Sequence, residues 1–101
     1  MEKVRTLRVY NLVNANGNKL RLSLGFVPDQ CGDYGWRWSF TGKNIPMPVR
    51  TRTWFIGFPE SIMLSWLKGN GWYPHTRVEL DSGEAKVFVL PTVMEIVDRV
   101  E

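Results

Sequence analysis

Residues 19–27, KLRLSLGFV, alternate without a break, with Leu20, Leu22, Leu24 and Phe26 on one side and Lys19, Arg21 and Ser23 on the other. A period of two is the signature of a strand with one buried face, and a helix cannot segregate these residues. Just before them, NANGN contains Asn16-Gly17, a pair that tolerates the positive φ angles of a tight turn. Residues 4–13, VRTLRVYNLV, lead into that turn and read as a strand. A β-hairpin is the first expectation. If these strands form one sheet, Leu7, Val9, Leu20, Leu22, Leu24 and Phe26 fill the covered side, and Arg8, Tyr10 and Arg21 lie opposite.

The rest of the chain continues in short segments. Residues 28–35, PDQCGDYG, read as a loop. GWRWSF alternates again, with Trp36, Trp38 and Phe40 on one face and Arg37 and Ser39 on the other. Pro46 and Pro48 in TGKNIPMP forbid a central strand there. VRTRTWF, residues 49–55, reads as a strand that places Arg50, Arg52 and Trp54 on one face. A helix is expected over about 59–68, opened by Pro59 and Glu60, carrying Ile62, Met63, Trp66 and Leu67 at helical spacing, and closed by Lys68 and Gly69. Gly71-Trp72-Tyr73-Pro74 and His75 read as a connecting loop. TRVEL and AKVFVL, on either side of Asp81-Ser82-Gly83-Glu84, make a second hairpin. From Pro91, the stripe Val93, Met94, Ile96, Val97 and Val100 suggests a C-terminal helix, packed on the sheet or on a second subunit. The expected order is β-β-β-β-α-β-β-α, an α+β domain with a mainly antiparallel sheet.

Composition narrows the function. A chain of 101 residues forms one domain. It has 44% hydrophobic and 13% aromatic residues, enough for a real core. No apolar run reaches the ~18–20 residues of a membrane helix, and MEKVRTLRVY has no signal-peptide core, so a cytoplasmic location is the default. Cys31 is the one cysteine, which excludes an intrachain disulfide and a multi-cysteine zinc site. Its neighbours Asp29 and Asp33 disfavour a thiolate nucleophile. His75 is the one histidine, and no second group at strand or helix spacing completes an acid–base pair with it. No cofactor or metal motif is present, and the sequence points to a protein that is not an enzyme. A metal-free ribonuclease-type toxin using His75 is the minor alternative.

Charge is unevenly spread. Residues 1–58 carry nine Lys/Arg and three Asp/Glu, whereas residues 59–101 carry four and seven. Between Asp33 and Glu60 there is no acid, while Arg37, Lys43, Arg50 and Arg52 all occur. Arginine forks grip phosphate oxygens, and aromatic rings stack on bases. The expected contacts with DNA or RNA are therefore Arg8, Arg21, Arg37, Lys43, Arg50, Arg52 and Trp54. The competing class is a protein-interaction factor or inhibitor of the kind a phage or mobile element encodes, because size, aromatics and a missing catalytic set fit that equally well.

One stretch also resembles a known family. Trp66-Leu67-Lys68-Gly69-Asn70-Gly71-Trp72, then Arg77-Val78-Glu79-Leu80 with Gly83, then Val87-Phe88-Val89-Leu90, is similar to the helix and hairpin of AbrB/MazE and SymE-like proteins. The overlap is residues 62–90. The resemblance implies a swapped-hairpin homodimer and nucleic-acid binding, as in transcription regulators or toxin–antitoxin systems. Pro74-His75 stands where that family usually has Gly, and no catalytic residue carries over.

Overall fold

The computed structural model describes residues 4–27, 35–46, 54–56, 59–81 and 83–90. The leading hairpin forms as its alternation requires. Strand β1 (Arg5–Val13) runs antiparallel to β2 (Lys19–Phe26). Asn14 organises the turn: its side-chain oxygen accepts hydrogen bonds from the backbone N–H of Asn16 and Asn18, and its carbonyl accepts from Gly17. Gly17 sits at φ +80°, the left-handed position that closes a three-residue hairpin loop.

Strand β3 (Trp36–Gly42) pairs with β2, and the two-residue β4 (Phe55–Ile56) pairs with β3. Helix α1 (Glu60–Gly69) follows, then the hairpin of β5 (Tyr73–Asp81) and β6 (Glu84–Val89). Strand β5 docks against β1, giving a six-stranded sheet in the order β4-β3-β2-β1-β5-β6. Every described pairing is antiparallel, and α1 is the one helix among the described residues. The molecule is an α+β fold. The expected C-terminal helix, and residues 49–53 of the expected fourth strand, lie outside the described residues.

The core lies between the sheet and α1. Tyr10, Leu12, Leu20, Leu22, Leu24, Trp38 and Phe40 from the strands meet Met63 and Leu67 from the helix and Trp72 just beyond it. Cross-strand partners share a face, and the register pairs Arg8 with Leu24, Tyr10 with Leu22 and Leu12 with Leu20. This reverses the expected facing of β1. Arg8 and Tyr10 lie on the helix side, and Val9 lies on the other. Tyr10 offers more apolar area than Val9, and Leu12 shares its parity, so burying that set gains more. The register also shifts between Thr6 and Arg8, a bulge that fluctuating propensity along the strand does not reveal.

Two other local expectations change. Gly71, at φ +86°, takes the left-handed position after α1, and Gly69 remains helical. The Gly71 N–H donates to the Lys68 carbonyl and the Trp72 N–H to the Leu67 carbonyl, which satisfies the last turn. Pro74 and His75 belong to β5 and not to a loop. Pro74 pairs with Leu12 and Thr76 with Asn11, so His75 is an extra residue on β5, a bulge. Proline lacks an N–H and is tolerated at such an interruption.

Candidate nucleic-acid interface

The strand register places the described acids on one face of the sheet, together with Arg8, Arg77 and Lys86. Glu79 pairs with Arg8 and with Lys86, Arg77 with Tyr10 and with Phe88, and Asp81 with Glu84. All of these share the helix-side parity. The described acids are Glu60 on α1 and Glu79, Asp81 and Glu84 on the strands. None falls on the face away from the helix. That open face carries Lys19 and Arg21, both exposed, beside Asn11, Ser23, Thr41, Tyr73 and Thr76.

Around Arg21 the open face sinks into a depression of about 400 Å³ lined by Asn11, Lys19, Arg21, Thr41 and His75, with Leu12 and Leu20 at its base. The cross-strand row Thr41–Arg21–Asn11–Thr76 runs through it. Asn11 Nδ2 donates to Thr76 Oγ1 at 2.8 Å, which fixes the amide. The β5 bulge brings His75 to the rim. Bulges commonly re-aim a side chain next to a site. Cations together with amide, hydroxyl and imidazole groups suit an anionic ligand with polar edges.

The sequence-expected contacts divide. Arg21 is exposed and lines the depression. Lys43 is exposed one residue past β3, whose last residue Gly42 pairs with Leu20, so it stands at the same end of the sheet as Lys19. Trp54 is half-buried, its ring against Gly25 on the open face. Arg37 is 3% exposed and donates to the Trp36 carbonyl at 3.1 Å, so it does not belong to the exposed surface. Arg8 stands on the helix side, where one guanidinium nitrogen donates to both Glu60 oxygens at 2.8 and 2.7 Å. That hydrogen bond holds Arg8 further into its charged range and neutralises it as a phosphate contact. Arg50 and Arg52 lie outside the described residues.

Helix-side charges form a structural set. Glu60 opens α1, where free backbone N–H groups favour a carboxylate, and reaches Arg8 on β1. Arg77 lies over the Phe88 ring at 4.9 Å and forms an ion pair with Glu79 at 3.0 Å. Tyr10 titrates above the usual tyrosine range, first because it is buried and second because Glu60 is near. Sequence reasoning missed Lys19, Asn11, Thr41 and His75 as a group. The alternation of β2 places Lys19 with Arg21, but the others meet them only through the β1–β5 and β2–β3 registers.

Among the described residues, no three His, Cys, Asp or Glu side chains gather as a metal set, and no helix is long and apolar enough to cross a membrane. No family model, curated protein or solved structure matches this chain.

Proposed function

We propose that this protein is a nucleic-acid-binding module, acting on DNA or RNA through the open face of its sheet without catalysing a reaction. The observation that carries this reading is charge segregation: Lys19 and Arg21 border a polar depression on a face that none of the described acids shares. Lys43 extends the cationic end, and Trp54 adds an aromatic surface farther along β2. Arg50 and Arg52 enter the proposal on their sequence alone. A transcription regulator or a toxin–antitoxin component is the class of protein this describes. The test is fluorescence anisotropy with labelled DNA and RNA at two salt concentrations. Binding should fall steeply with salt and be lost in Lys19→Glu/Arg21→Glu. Unchanged affinity in that double variant refutes the reading.

A second reading is favoured by β6. Among the described residues this strand ends the sheet, and its Val87 and Val89 are 64% and 84% exposed. An apolar edge strand is a template for a strand from another protein. The protein would then be an interaction factor, such as an inhibitor carried by a phage or mobile element. A nuclease-resistant 1:1 complex with a purified partner, lost in Val87→Lys, supports this class.

A further inference from the structure

The open face holds polar groups and rings as well as cations. The depression reaches from Thr41 on β3, across β2 and β1, to His75 on β5. Three inter-strand steps span about 14 Å. Its volume of about 400 Å³ lies in the range of pockets that enclose small molecules. Tyr73 lies on the same face one row away, paired with Val13, which is itself paired with Lys19.

We infer that the ligand is a single strand, with one unpaired base seated between Asn11, Thr41 and His75 and its flanking phosphates on Lys19 and Arg21. This inference rests on the nucleic-acid reading above. In a duplex the Watson–Crick edges are already paired, and a convex double helix resting on this face meets the long, exposed side chains of Lys19 and Arg21 before the shorter Asn11 and Thr41. The Asn11 amide oxygen, the Thr41 hydroxyl and the His75 imidazole would then lose water without gaining a partner from the duplex, at a cost. An unpaired base supplies donors and acceptors to those groups. It also exposes its face for stacking on Tyr73 or His75, a contact available to any base. The Asn11 amide is already oriented by Thr76, so little ordering remains when the base arrives.

The experiment compares a labelled 12-nucleotide single strand, as RNA and as DNA, with a hairpin duplex of the same composition, by anisotropy at low salt. The single strand should bind at least about tenfold tighter. His75→Ala and Tyr73→Leu should each weaken single-strand binding about fivefold while leaving the salt slope unchanged, because neither removes a phosphate contact. Equal affinity of the unmodified protein for single strand and duplex overturns the inference and leaves the nucleic-acid reading standing. So does single-strand affinity unaffected by both substitutions. Absence of binding to every probe overturns the nucleic-acid reading itself. The strand-versus-duplex comparison uses the unmodified protein, so it does not depend on either variant folding.

Discussion

At the scale of single residues, Tyr10 and Gly25 show how side chains set the faces of the sheet. Tyr10 is 2% exposed, and burial together with Glu60 raises its pKa above the free value. A raised pKa means that the folded state holds the proton more tightly than the unfolded chain. Tyr10 therefore contributes stability that is complete below pH ~10 and is lost as pH rises through its folded value. Thermal melts from pH 9 to 12 should show a decline that is shallower in Tyr10→Phe. A decline of the same depth in that variant assigns the effect to other groups. Gly25 acts through what it lacks. A Cβ there would come within 3.0 Å of the Trp54 ring and would meet Val4. Gly25→Ala should cost about 1–3 kcal/mol in chemical denaturation, and Trp54→Ala in the same chain should recover part of that loss.

Among the elements, α1 and β6 illustrate two different boundaries. The helix is anchored at both ends, by Glu60 reaching Arg8 and by Gly71 and Trp72 closing the last turn onto Leu67. Gly71→Ala puts a side chain at φ +86° and should lower stability by about 1–2 kcal/mol. Gly69→Ala has the opposite sign, because that residue is helical and a Cβ there meets nothing within 4 Å; it should gain up to about 1 kcal/mol. Equal effects at the two positions would show that the left-handed turn is elsewhere. From sequence, Gly69 is the expected stop in Lys68-Gly69-Asn70-Gly71. Only the seating of Trp72 in the core, with its N–H on the Leu67 carbonyl, selects Gly71. The Arg8–Glu60 pair contributes less than its two short contacts suggest, since both side chains remain partly in water. A double-mutant cycle should return no more than about 1 kcal/mol of coupling, falling with added salt.

For the whole molecule, a sheet face that carries cations and none of the described acids is the property that bears on binding. If Lys19, Arg21 and Lys43 each neutralise one phosphate of a single strand, the logarithm of affinity should fall with the logarithm of salt at a slope of about −2. Arg21→Gln should make that slope shallower by roughly 0.7. An unchanged slope removes Arg21 from the phosphate contacts.

Several elements are legible in local sequence: the period-two alternation of Leu20, Leu22 and Leu24, the Asn16-Gly17 turn, the Pro59-Glu60 helix start and the hairpin around Asp81 and Glu84. These are local signals, set by backbone sterics and by which residues can be buried within a few positions of one another. Tertiary structure decided which face each strand turns to the helix and which residues meet across strands. In β1, Leu7 and Val9 compete with Tyr10 and Leu12 for the core, and alternation alone leaves a tie. The docking of Leu20, Leu22 and Leu24 opposite Leu12, Tyr10 and Arg8 breaks it. The same docking moves Arg8 to Glu60, buries Arg37 and, through the bulge on β5, brings His75 into the depression that Arg21 lines. A one-residue change of register exchanges the two faces of a strand, so the site depends on pairings between residues as far apart as Asn11 and Thr76.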